Sequence, residues 1–212
     1  MPSVLDHIVV VAPSLASGAA FVHTALGAEA QAGGAHPRMG THNLLLALGE
    51  RTYLEIIAVD PAAAAPSRPR WFALDRLSPT AAPYLAGWVV RTDDIRAAST
   101  ACPEILGPIE PMTRGKLSWL ITVTPDGALP LGGAVPALIQ WQVAAHPAGA
   151  LAPTGCSLLE LEIHHPEPQR VSEVLGAIGL QSPPRIRRSA DQQIALTAYI
   201  QTPYGVRTLP AA

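Results

Sequence analysis

Two polar residues sit inside strands that are otherwise apolar: His7 in LDHIVVVAP and Glu55 in RTYLEIIAVDP. Ionised groups are almost never buried without a partner, so Glu55 calls for a cation, and His7 is the best candidate in the chain. An imidazole and a carboxylate on neighbouring strands begin a divalent-metal site or the floor of a ligand pocket, where Glu55 could also serve as a general base. The two-residue period of a strand puts both on one side. His7, Val9 and Val11 share a face opposite Ile8, Val10 and Ala12, while Tyr53, Glu55, Ile57 and Val59 share a face opposite Leu54, Ile56 and Ala58. Taken alone, His7 reads equally as a buried neutral histidine satisfied by a hydrogen bond.

Further polar groups lie close by in sequence. In GTHN, Gly40 suits a turn, and Thr41 and Asn43 then share one strand face with His42 on the other. Asn43 is expected to point inward, where an amide and a hydroxyl suit a substrate carbonyl or carboxylate; satisfaction of the local backbone is the competing reading. His36 precedes Pro37 in an extended loop, as a solvated residue or as a lid contact. Arg114, in PMTRGKLSWL, either anchors an anionic substrate or is a surface arginine beside a turn, and Trp119 and Trp141 are either pocket walls or core. Glu160, Glu162 and His164 alternate on one strand like metal ligands, yet a half-exposed strand has the same pattern, with Arg185, Arg187 and Arg188 as partners for the acids.

The scaffold that positions these side chains is written in repeats. A strand over 5–11 is followed by a helix that starts at Ser14, carries Leu15, Ala19, Val22 and Leu26 at helical spacing and ends at Gly27. Extended runs follow at 28–32, 43–48 and 52–59. The order recurs as a strand at 88–91, a helix at 93–102 capped by Thr92 or Asp93, and strands at 105–111, 117–124 and 137–143. It recurs again, shortened, as a strand at 158–164, a helix at 168–178 and extended pieces at 185–188, 194–201 and 206–209. The period is about 70 to 75 residues. The expected organisation is therefore a first βαβββ unit (1–60), a Pro- and Ala-rich linker with a short helix (61–84), a second unit (85–145) and a C-terminal partial unit (154–212). One such unit cannot cover its own concave sheet face, so two must pack side by side.

Composition narrows the function. The 212 residues are 49% hydrophobic and 14% charged with a net charge of -2, which excludes disorder and offers no field for nucleic acid or an anionic membrane. Every apolar run is interrupted before it reaches membrane-spanning length. Cys102 and Cys156, with no signal peptide ahead of them, read as reduced thiols of a cytoplasmic protein.

The repeated units, the opening DHIVVVAPSL and the block from His36 to Pro61 resemble the glyoxalase-like branch of the vicinal oxygen chelate superfamily, which includes glyoxalase I, extradiol dioxygenases and fosfomycin and bleomycin resistance proteins. The resemblance implies an α+β fold in which paired βαβββ units form an open barrel-like cup around a divalent metal, held by residues of each first and fourth strand. His7 and Glu55 match the ligands of the first unit. The second unit departs from the pattern, with Gly87 on its first strand and Gln140 and Gln142 on its fourth, and a neutral amide oxygen is a weak donor. The resemblance thus leaves two functions open. One is a metal-dependent lyase, isomerase or dioxygenase acting on a small carbonyl- or oxygen-bearing metabolite, with zinc, manganese, iron or nickel as Lewis acid. The other is a binder that sequesters a small molecule in the cup without metal. His36, Thr41, Asn43, Tyr53, Arg114, Trp119 and Gln140 are the expected substrate contacts in either case. The C-terminal partial unit packs on the cup or on another subunit, the latter making a homodimer.

Overall fold

In the computed structural model, which describes residues 2–210, the chain forms an α+β fold of two sheets. Strand β1 (Ser3–Val11) ends in the β-branched run Ile8, Val9, Val10 and Val11. It feeds helix α1 (Leu15–Leu26), which opens on a reciprocal Ser14/Ser17 capping box and closes on Gly27 in the left-handed region at φ 68°. Strands β2 (Gln31–His36), β3 (Thr41–Ala47) and β4 (Tyr53–Val59) complete the first set. After a segment containing the 3-10 turns of Trp71–Arg76, the second set comprises β5 (Tyr84–Thr92), α2 (Ile95–Ala101), β6 (Ile109–Arg114), β7 (Leu117–Thr122) and β8 (Ala137–Trp141).

The eight strands make one sheet in the order β2-β3-β4-β1-β5-β8-β7-β6. Each half has its first strand parallel to its fourth, β1 to β4 and β5 to β8, and the antiparallel β1–β5 pair joins the halves. The sheet curls into a nearly closed cup because its two edge strands, β2 and β6, approach each other. Arg38 crosses that gap, donating to the Pro111 carbonyl at 2.9 Å and pairing with Glu110. Side-chain parity divides the interior in two. Ile8, Val10, Leu54, Ile56, Trp88 and Leu138 pack on the helix side, whereas Val9, Val11, Ile57, Val89, Ile121 and Ile139 line the cup.

The C-terminal set, β9 (Ser157–His165), α3 (Pro168–Ala177), β10 (Arg185–Arg188), β11 (Ala195–Thr202) and β12 (Gly205–Pro210), forms a four-stranded sheet in the order β10-β9-β11-β12. Its inner face, including Leu161, Ile163, Ala198 and Ile200, joins the helix-side core of the larger sheet. On its outer face the acids are taken up by cations: Glu162 accepts from His164 at 2.8 Å and Arg187 at 3.0 Å, and Arg185 lies 2.8 Å from Glu160.

Several elements differ from the sequence expectation at their bounds. β2 lies at 31–36 rather than 28–32, which moves His36 from a loop into a strand. The glycines at 33 and 34 read as a turn that ends the run 28–32, but β2 passes through both of them. α2 is capped by Asp94, whose side chain accepts from Ala97 N–H, rather than by Thr92 or Asp93. No helix among the described residues is long and apolar enough to cross a membrane.

Candidate functional site

β1 delivers two adjacent polar residues to the floor of the cup instead of one. The register of β1 on β5 slips between Leu5 and His7, and this irregularity lets Asp6 and His7 serve the same cluster although strict alternation would send them to opposite faces. Asp6 Oδ1 accepts from His7 Nδ1 at 2.7 Å. Its other oxygen accepts from Trp141 Nε1 at 3.0 Å and from His146 Nε2 at 3.0 Å, and Arg91 lies 3.6 Å away. Ala148 N–H donates to His146 Nδ1 at 3.3 Å, so Nε2 is the nitrogen that carries the proton toward Asp6.

From the far side of the imidazole, His7 Nε2 faces Glu55 Oε2 at 3.5 Å, and Tyr53 stacks on the ring with centroids 4.5 Å apart. Glu55 is placed by the register of β4, directly opposite Val9 of β1 and Leu45 of β3. Asn43 holds its second oxygen, donating from Nδ2 to Oε1 at 2.5 Å while its own Oδ1 accepts Gly34 N–H at 2.9 Å. That pair of contacts fixes which way the amide points. A carboxylate, an imidazolium and a second carboxylate thus lie in line, and of the three His7 and Glu55 line the cleft.

Burial and pairing set the charges. Burial by itself would lower His7, but the hydrogen bonds to Asp6 and Glu55 and their charges raise it to about 9. Burial would raise Glu55, yet the His7 hydrogen bond and charge, helped by Asn43, bring it down to about 2. Burial also opposes ionisation of Asp6, and the bonds from His146 and His7 overcome it and hold the group below the usual carboxylate range. His36 goes the other way: burial, with the Arg114 charge adding to it, pushes the ring down to about 4. Burial sends the Tyr53 hydroxyl well above its ordinary value. At neutral pH the cleft therefore presents an imidazolium, an anionic carboxylate, a neutral imidazole and a guanidinium.

The cleft above these groups is lined by His7, His36, Tyr53, Glu55 and Arg114 and walled by aromatic and aliphatic side chains, Trp71, Phe72, Trp119 and Trp141 among them. Of the residues expected from sequence, His7, Glu55, Tyr53, His36, Arg114 and Trp119 meet there. Thr41 and Asn43 stand just behind, Thr41 Oγ1 lying 3.1 Å from His36 Nδ1 and accepting from Trp71 Nε1 at 3.2 Å. Gln140 does not belong to the cleft. Ala137, Ile139 and Trp141 take the cup side of β8, and Gln140, on the other side, donates to Asp93 O at 2.8 Å and accepts Ile95 N–H at 3.1 Å at the start of α2. Asp6, His146, Trp71 and Phe72 carry the site without having been singled out. Asp6 was open to the argument made for Glu55, since a buried carboxylate needs cations, whereas His146 and the Trp71–Phe72 pair sit in segments that read as connections.

A divalent metal does not fit this donor set. His7 and Glu55 are oriented as two ligands could be, with Asp6 behind His7 in the place of an outer carboxylate. The second half supplies nothing to match them: Gly87 abuts Leu129, and the cup side of β8 is apolar. Asn43 already donates to Glu55, and Arg114 brings a positive charge to 3.5 Å from His36 Nε2. Among the described residues no three or more His, Cys, Asp or Glu are grouped to hold a metal ion, and a catalytic site generally needs three protein ligands.

A family model described as a glyoxalase-like domain matches residues 5–179. No curated protein matches the sequence significantly. Among solved structures, a hypothetical protein from Staphylococcus aureus is similar over 99% of this chain and 85% of its own, with 15% identity and a TM-score of 0.57, a likeness of fold. The Streptomyces coelicolor methylmalonyl-CoA epimerase aligns over 66% of this chain and 97% of its own, with 17% identity and a TM-score of 0.43. The Mycobacterium tuberculosis methylmalonyl-CoA epimerase aligns over 66% and 88%, with 17% identity and a TM-score of 0.42.

Proposed function

The chain belongs to the glyoxalase-like domain family, and from that premise we propose that it is an enzyme that moves a proton next to the carbonyl group of a small metabolite, with Glu55 as base and His7 as hydrogen-bond donor. The observation that carries this reading is the line Asp6–His7–Glu55, in which one carboxylate keeps the imidazole protonated from behind while the other faces the cleft beside it. A substrate oxygen approaching Nε2 from the cleft would accept the His7 N–H in place of Glu55. Glu55 would then be left buried with Asn43 as its remaining donor, and loss of a hydrogen bond to its charged form moves a buried carboxylate upward, making it a stronger base as the substrate binds.

In the step itself the C–H electron pair moves into the C–C bond as the proton passes to Glu55 Oε2, and the carbonyl π pair moves onto oxygen. The resulting enolate oxygen is held by the His7 N–H in a site walled from water by Trp71, Phe72, Trp119 and Trp141. Return of the proton from Glu55 to another carbon completes an isomerisation, and return to the same carbon after the enolate has turned over in the cleft completes an epimerisation. No step runs through a metal.

The test is deuterium exchange. Small ketones, 2-oxo acids and 3-oxo acids incubated in D₂O with the protein should gain deuterium next to the carbonyl in at least one case, followed by proton NMR. Glu55→Gln should slow that exchange by about 100-fold or more, the usual contribution of a positioned base. Saturable binding of the compounds without exchange would replace the enzyme by the sequestering protein. Elemental analysis of the same preparation, with exchange measured before and after chelation, tests the metal-free reading; exchange that disappears on chelation and returns with added metal would overturn it.

A further inference from the structure

Arg114 is the cation of the cleft that lacks a carboxylate. Among the described residues, Arg38, Arg68, Arg70, Arg91, Arg170 and Arg185 all pair with acids, whereas Arg114 has no acid within ion-pair distance. Among the described residues its one side-chain hydrogen-bond contact is His36, whose Nε2 lies 3.5 Å from Nη1 and 3.5 Å from Asn43 Nδ2. Two donors facing one ring nitrogen mark it as the bare one, so His36 gives Arg114 an acceptor but no charge.

The arginine also occupies a particular place in the cup. It ends β6, beside the gap between the two edge strands, and its stem runs over Gly34 of β2: a Cβ at Gly34 would stand 2.9 Å from Arg114 Cδ. The inner cleft and a second, outer groove both have Arg114 in their walls. That groove runs between Gly33–Gly34, the Gly115–Lys116 turn and the Pro147–Leu151 segment, carries Lys116 as well as Arg114, and has no acidic residue in its lining. Two cations, Arg114 and Lys116, thus line the outer groove, and Arg114 is shared with the cleft that His7 and Glu55 line.

We infer that the substrate is an oxyanion-bearing carbonyl compound, whose carboxylate or phosphate is gripped by Arg114 at the slit while its carbonyl reaches His7. This rests on the proton-transfer reading for the second half of the statement alone; the anion contact stands on the placement of Arg114. A guanidinium presents two parallel N–H donors that match either oxyanion, and a charge-assisted pair in a partly dry site contributes enough to sort substrates by charge.

Binding separates the two ideas because it needs no turnover. Malonate, inorganic phosphate and the neutral analogue malonamide would be titrated into wild-type protein, Arg114→Gln, Arg114→Lys and Glu55→Gln, read by tryptophan emission, since Trp119 and Trp71 pack edge-on to His36. Malonate or phosphate should bind saturably, and whichever binds more tightly identifies the oxyanion. Arg114→Gln should weaken it at least 10-fold, Arg114→Lys by less, and malonamide should bind at least 10-fold more weakly than malonate; thermal melts would confirm that each variant is folded. Equal binding by wild type and Arg114→Gln, equal binding of malonamide, or no saturable binding of either anion would overturn the inference. Retained anion binding in a protein that exchanges no α-proton would leave Arg114 standing and remove Glu55 as base.

Discussion

Asp6 carries the charge balance of the site. Its two oxygens are shared among His7, Trp141 and His146, so the group that keeps His7 protonated also ties the first strand to the segment after β8. Replacing it with asparagine leaves a similar shape but removes the negative charge, and a buried cation that loses one of its partners is destabilised by roughly 3 to 5 kcal/mol. Asp6→Asn should therefore lower the melting temperature and shift His7, followed through its ring protons by NMR, from about 9 toward its ordinary value of 6.5. An unshifted His7 would show that Glu55 alone holds the charge. The pair His7 and Glu55 was legible because each interrupts an apolar run at a position whose parity is plain. Asp6 was masked by the same parity rule, which the slip in the β1–β5 register breaks locally, and Gln140 failed in the opposite sense, its side chain falling on the helix side of β8.

At the scale of the element, β2 is the strand that the site demands and the sequence conceals. Gly33 and Gly34 give it no apolar alternation, yet their missing side chains make room for the two groups that flank the cleft. A Cβ on Gly33 would fall 2.0 Å from Asn43 Oδ1, and that side chain has little freedom to move because its Oδ1 accepts Gly34 N–H and its Nδ2 donates to Glu55. Gly33→Ala should cost about 1 to 3 kcal/mol in stability, the scale of overpacking in a filled site, and should also weaken the hold on Glu55. Gly149→Ala is the control, since nothing lies within 4 Å of its Cβ position, and its urea midpoint should stay within experimental error of wild type. Equal midpoints for the two variants would show that β2 yields readily. The Trp71–Arg76 segment has a related history: it looks like a connection, and it covers the cleft with Trp71 and Phe72 although Phe72 and Ala73 lie in the left-handed region at φ 56° and 53°. Strain of that kind persists where the surroundings impose it, here through Ala73 N–H bound to Gly127 O at 2.8 Å.

For the whole molecule, the helix-side core joins both sheets, with Ile8 and Trp88 from the eight-stranded sheet packed in one cluster with Ile163 and Ile200 from the C-terminal one. A core so shared makes a single cooperative unfolding transition the expectation, and the titration of the cup then reports on the stability of the entire chain. Two histidines pull in opposite directions. His36 is held down at about 4 against an ordinary 6.5, so between those values the unfolded chain binds a proton that the folded molecule refuses, and stability rises with pH. His7 is raised to about 9, so its contribution is fully present below 6.5 and is lost as pH climbs through 9. Glu55, lowered to about 2 from 4.5, steepens the acid side further, its contribution fading as pH falls below 4.5. Each such proton tilts the curve by at most about 1.4 kcal/mol per pH unit, so urea midpoints measured from pH 4 to 9 should peak near 6.5 and fall on both sides. His36→Gln should flatten the limb between pH 4 and 6.5 and leave the alkaline limb as it was. A wild-type midpoint that stays level from pH 6.5 to 9 would mean that His7 is neutral in the folded protein, and the proposed hydrogen-bond donor would lose its charge.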